Sequence, residues 1–207
     1  MSHPPLLAPA TEPIHAGDSL ENPATGEVGV LLKSPYEGND PSLESEMYVR
    51  PGGAIVGEHI HPSIDERFTV VSGTIGYKLD GKTGVAKAGE IVEIPRGSWH
   101  DWWNAGDDEL VARVWVSDGR RFAQMIENLF GLAADGHTNA KGLPDPLQLA
   151  MFATEFSDVL TMKRPPAAIQ KLIFGILVPI AKARGYRGTY PQYSRSKATA
   201  DRVGVPA

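Results

Sequence analysis

The sequence predicts a mainly β protein: an antiparallel sandwich or barrel followed by a C-terminal helical extension. Two observations predict it. Between residues 18 and 118, short runs rich in β-branched and aromatic residues alternate with Gly, Pro, Asn and Asp turn signals, at the close spacing of all-β domains. At Gly119 the pattern changes to apolar residues three and four apart, the mark of amphipathic helices. At 207 residues the chain can bury a full core, and one domain with an appendage is the expectation. The boundaries expected are a flexible arm over residues 1–17, a barrel over 18–118, a helical extension over 119–193 and a disordered tail over 194–207.

The arm is proline-rich and polar without periodicity, and it lacks the basic and long apolar regions of a signal peptide. A hairpin around residues 22–26 leads into a strand over 28–32. Residues 36–42 read as a loop, 46–50 as a strand and 51–53 as a turn. The run 67–72 is a β-branched and aromatic strand closed by Gly73, and 74–89 is a hairpin with Asp80-Gly81 at its tip. Strands over 90–95, from His100, and over 108–118 complete the β region.

Beyond Gly119, the spacing of Phe122, Met125, Ile126, Leu129 and Phe130 predicts a helix, and residues 133–143 a loop. Asp145 as N-cap and Pro146 at the first helical position start a second helix, with Leu149, Phe152 and Phe156 on one face. Pro165-Pro166 is expected to break that helix and start a third. The third carries a stripe of Ile169, Leu172, Ile173, Ile176, Leu177 and Ile180, with Pro179 kinking its end and Gly185 stopping it. The stripe is expected to pack on the barrel's outer face or on a second subunit. Lys171, Lys182, Arg184 and Arg187 accompany it, which admits docking on a membrane surface. The apolar run 172–181 is too short to span a bilayer, so no stable membrane insertion is expected.

The chemistry concentrates in residues 53–104. His59 and His61 lie two apart, so on an extended strand both rings leave the same face. Glu66 follows after a short turn. His100 opens a new strand after the turn at Pro95 and Gly97, and that strand can bring a third imidazole to the first two. Three neutral imidazoles and a carboxylate suit one divalent first-row metal: Fe, Mn, Ni, Co, Cu or Zn. Four protein ligands on an octahedral ion leave two positions for water, dioxygen or substrate. A lone buried histidine is usually a hydrogen-bonded core residue, but the joint spacing outweighs that reading. The chain has no cysteine, which removes thiolate chemistry and fits a reducing compartment. Net charge is -5 with no basic run, so no nucleic-acid partner is expected and a soluble cytoplasmic protein is.

These residues resemble the cupin superfamily. Its first motif, Gly, five residues, His-x-His, three or four residues, Glu, six residues, Gly, is matched by Gly53, His59, His61, Glu66 and Gly73. Its second, Gly, five residues, Pro-x-Gly, two residues, His, three residues, Asn, is matched by Gly89, Pro95, Gly97, His100 and Asn104. The resemblance implies a double-stranded β-helix, or jelly-roll, barrel over about residues 27–117. It also implies a metal held by His59, His61, Glu66 and His100, and a homodimer. In related sites the motif glutamate can leave the metal and take a substrate proton, which makes Glu66 a candidate catalytic base. Cupins include dioxygenases, isomerases, epimerases, decarboxylases, storage proteins and sugar-binding domains, so the family does not fix the reaction.

Parity names the pocket wall. Counting by twos from His100 turns Trp102 inward and Trp99 and Trp103 away; Phe68 and Val70 share the parity of Glu66, and Ile55 that of His59. A wall of Trp102, Phe68 and Ile55 favours a small apolar or aromatic substrate. Arg113 reads as half of an exterior ion pair. The expected function is a metal-dependent cupin of the Fe(II) dioxygenase or oxidoreductase type. The alternatives are a non-redox isomerase, cyclase or lyase, or a small-molecule-binding module.

Overall fold

The computed structural model describes residue 4 and residues 12–53 and 57–194. The first strands follow the turn chemistry. Asn22 accepts the Ala24 N–H on its side chain at 3.2 Å and Gly26 takes φ +74°, so β1 (Ser19–Asn22) folds back on β2 (Glu27–Lys33). Next come β3 (Leu43–Val49), the two-residue β4 (His59–Ile60), β5 (Glu66–Ser72), β6 (Thr74–Leu79), β7 (Lys82–Lys87), β8 (Ile91–Ile94), β9 (His100–Asn104) and β10 (Leu110–Val116). Between β6 and β7, Asp80 and Gly81 both have positive φ, as a two-residue primed hairpin turn requires.

The strands form two antiparallel sheets, a six-stranded one in the order β1-β2-β3-β10-β5-β8 and a five-stranded one that includes β4-β9-β6-β7. This mainly β jelly roll encloses a core in which Phe68, Val70, Ile75, Trp102, Leu110 and Val114 are all but fully buried. Alternation explains the choice: Glu66, Phe68 and Val70 turn in while Arg67 and Thr69 do not. Arg113 turns outward to Glu46 at 3.3 Å, and Trp103 lies over the α-carbon of Gly76, where a β-carbon would stand 2.4 Å from the indole.

Three helices follow. Helix α1 (Gly119–Ala134) starts at an Asp118 cap, and α2 (Pro146–Glu155) at Asp145, which accepts the N–H groups of Leu147 and Gln148. The expectation that α2 runs on to Pro165 is wrong. It stops at Glu155 because Phe156 and Val159 turn into a second apolar core with Ile14, Leu31, Leu43 and Val116. The chain then forms β11 (Thr161–Met162), which adds to the five-stranded sheet beside β4. Helix α3 (Ala167–Ala183) packs against α2 and buries only Ala181 fully. Its stripe does not lie on the barrel: Leu172 is 66% and Ile176 57% exposed. Among the described residues no helix is long and apolar enough to cross a membrane.

The extension is tied down by polar groups as well. Asn128 accepts the Tyr190 N–H and donates to Ser194, while the Tyr190 hydroxyl donates to Gln148, which donates in turn to the Arg187 carbonyl. All of these side chains are buried. Residues 195–207 lie outside the described residues. At the other end Ile14 is buried and its carbonyl accepts from Ser34 at 2.7 Å.

Candidate metal centre

His59 on β4 and His100 on β9 face each other directly across the sheet, and their ring centroids stand 4.2 Å apart. His61, just past β4, lies 5.0 Å from His59 and 5.2 Å from His100 by the same measure. All three are buried, and each offers a ring nitrogen within 4.8 Å of the others. Glu66, the first residue of β5, reaches the group from the six-stranded sheet. Its Oε2 is 3.3 Å from His100 Nε2 and 3.7 Å from His61 Nε2. Two turns fix the approach: Gly97 donates its N–H to the His61 carbonyl, and Asp65 accepts from both the backbone and the guanidinium of Arg96. The residue before Glu66 is thereby clamped to the turn before His100.

Each imidazole is held from behind. His59 Nδ1 is 2.8 Å from the Gly57 carbonyl, His61 Nδ1 2.7 Å from that of Val159 and His100 Nδ1 3.0 Å from that of Ser98. A carbonyl only accepts, so each Nδ1 carries a proton and Nε2 is the atom left to face the cluster. This is the arrangement of imidazoles that ligate metals. Among the described residues, His100 Nε2 and Glu66 Oε2 are buried with no hydrogen-bond partner beyond their own 3.3 Å approach, a costly state that an ion between them would relieve. The donor set fits a divalent transition metal.

Residues 45–117 match the family model for the cupin domain. That stretch is a cupin domain. Among curated proteins the chain is similar to the probable oxidoreductase virH of Hypocrea virens, 29% identical over 66% of this chain and 67% of that one. It is also similar to the polyketide synthase CurC of Streptomyces cyaneus, 33% identical over 41% of this chain; the match spans only 54% of CurC. Among solved structures, a predicted oxalate decarboxylase from Thermotoga maritima is 21% identical, covers 54% of this chain and 98% of its own, and aligns with a TM-score of 0.44.

Within the cluster, electrostatics favour a neutral His59. Burial, then the neighbouring His100 and His61, push its pKa down to about 3. Burial works against the charge of Glu66, but His100, His61 and His59 together hold its carboxyl below the usual range. His100 is the reverse case: burial works against its charge, but Glu66 raises it above an ordinary imidazole.

The cluster opens onto a mostly apolar cavity. His59, His61, Glu66 and Trp102 border it together with Leu31, Leu43, Met47 and Val114 of the six-stranded sheet and Phe122, Met125, Ile126 and Leu129 of α1. Trp102 thus lines the cavity. Phe68 stacks behind it at 5.1 Å and is not among the lining residues, and Ile55 lies outside the described residues. Sequence reasoning missed the contribution of the extension. Phe122 meets the His61 ring edge-on at 5.8 Å, and Val159 supports it through a backbone carbonyl, which no residue type advertises.

Proposed function

We propose that this cupin is a metal-dependent oxidoreductase of the Fe(II) dioxygenase type, acting on a small apolar or aromatic molecule. The observation that carries the proposal is a buried cluster of three imidazoles and a carboxylate at the wall of an apolar cavity, each imidazole held by a backbone carbonyl at Nδ1. His59, His61, Glu66 and His100 would hold the ion, with Fe2+ favoured over Mn2+, Ni2+, Zn2+, Co2+ or Cu2+. Such an ion supplies Lewis acidity and, if redox-active, electrons for dioxygen. Trp102 and the α1 side chains orient an apolar substrate against the ligands and exclude water. Glu66 is the group placed to take a substrate proton. The oxidoreductase name of virH supports this reading.

Oxygen consumption by the Fe(II)-loaded protein across a panel of phenols, diketones and flavonols tests it. Substrate-dependent uptake, absent in His100→Ala, is expected; turnover of the same compounds without oxygen would overturn it. That second outcome favours non-redox isomerase, cyclase or lyase chemistry, for which the position of Glu66 beside two imidazoles speaks. Binding without product would leave a small-molecule-binding module.

We also propose a homodimer joined through α3, whose exposed residues Ile169, Leu172, Ile173, Ile176 and Ile180 fall on one helical face. Sedimentation of Leu172→Glu/Ile176→Glu should show a monomer where the native chain is a dimer. A native monomer would refute it.

A further inference from the structure

One buried carboxylate is not used by the metal-centre chemistry. Glu27, the first residue of β2, is 3% exposed. Its Oε2 accepts from the Thr25 hydroxyl at 2.8 Å, while its Oε1 has no hydrogen-bond partner among the described residues. Leaving a buried carboxylate oxygen unpaired is costly, and burial pushes the Glu27 pKa up. A strand residue at this position, sharing the inward face with Leu31, would ordinarily be aliphatic.

Glu27 lines the same cavity as the histidines, together with Asn22 and Thr25. Strand register places it far from them. Glu66 pairs with Val116 and Val116 with Leu43, a row that meets β2 near Lys33, whereas Glu27 pairs with Asn22 at the opposite end of that strand. The cavity is therefore elongated, with acceptors at both ends and the apolar face of α1 between. Lys141 lines the cavity as well, next to Gly142, which approaches Thr25 and Asn22, but among the described residues Glu27 Oε1 has no partner.

We propose that Glu27 is a second recognition point, taking a hydroxyl or amine at the end of an elongated apolar substrate distant from the histidine cluster. This rests on the reading of that cluster as the reacting end. An apolar molecule without a donor leaves Oε1 desolvated and unpaired, and a site built to hydrogen-bond a polar group rejects analogues that lack it. Glu27 is thus a binding and specificity residue, with no part in the chemical step.

The test uses ω-hydroxy fatty acids of ten to sixteen carbons against the plain acids of equal length, titrated into the full chain with and without Fe(II). The series serves as a ruler for the cavity. At one or two lengths the ω-hydroxyl should tighten binding about tenfold, as one satisfied buried partner implies. Glu27→Leu should abolish that gain while leaving metal content unchanged. Absence of any hydroxyl gain at every length, or its survival in Glu27→Leu, would overturn the proposal. If the gain appears but metal does not affect affinity, Glu27 stands and the reading of the histidine end fails. Thermal unfolding gives a second readout: an unpaired carboxylate kept for recognition predicts a raised Tm for Glu27→Leu. A lowered Tm would make Glu27 a structural residue and overturn the proposal.

Discussion

His61 and Val159, 98 positions apart, meet through a 2.7 Å hydrogen bond from the imidazole Nδ1 to the backbone carbonyl. The bond makes the helical extension part of the candidate metal centre, because it sets which nitrogen of His61 faces His59, His100 and Glu66. Arg121 holds the carbonyl's segment in place. It contacts both carboxylate oxygens of Asp158 at 3.0 Å, donates to the Glu155 carbonyl at 2.7 Å and lies over the Phe156 ring. Arg121→Ala should weaken metal affinity about tenfold, the usual scale for loss of such support, with the far-UV spectrum unchanged. A chelator competition titration measures it; unaltered affinity would mean that the Val159 carbonyl is held without Arg121.

Removing a ligand should have a different signature. His61→Ala and His100→Ala are each expected to lose the metal and keep a folded barrel, because the core around Phe68, Trp102 and Val114 does not include the histidines. Metal analysis and circular dichroism on the same samples check both halves. Global unfolding would make the ion a structural one.

The cluster also predicts opposing pH effects. His100, raised by Glu66, keeps a proton in the metal-free protein above the ordinary imidazole range. Metal must displace that proton, so affinity should climb with pH up to the raised pKa and then level off, with about one proton released per ion below it. Calorimetry in buffers of different ionisation enthalpy reads the proton count. For stability of the metal-free protein the signs follow by linkage. The contribution of His100 is fully present below pH 6.5 and lost as pH rises through its raised value. That of His59 is present above pH 6.5 and lost as pH falls toward about 3.

The buried network of Asn128, Tyr190, Gln148 and Ser194 joins α1 and α2 to the chain after α3. Asn128→Ala would strand the Tyr190 N–H in the interior and remove one of the two bonds of the Ser194 hydroxyl, which still donates to the Tyr190 carbonyl. It should cost about 2 kcal/mol, measured by urea unfolding, and a change within error would mean that water takes over both partners.

The barrel was legible in the sequence because its signals are local. Period-two alternation marks Glu66, Phe68 and Val70, and Asp80-Gly81 can adopt the positive φ of a primed turn. The convergence of His59, His61, Glu66 and His100 was anticipated only through their joint spacing. Illegible features are those decided by tertiary contact. Strand β11 is two residues without a pattern, formed because β4 offers an unpaired edge. Helix α2 ends with no glycine or proline to announce it, since burying Phe156 and Val159 outweighs another helical turn. The stripe on α3 was visible, but periodicity says only that a face is apolar and not what covers it. Nothing in the sequence sets Glu27 apart from the other acids of the chain; its burial and its place on the cavity do.

The most direct test is elemental analysis of the full chain purified without chelators from metal-replete cells, beside His100→Ala prepared identically. The account predicts close to one equivalent of a divalent transition metal per native chain and background levels in the variant. A native protein that stays metal-free and gains none on anaerobic titration with Fe(II), Mn(II) or Ni(II) would contradict it.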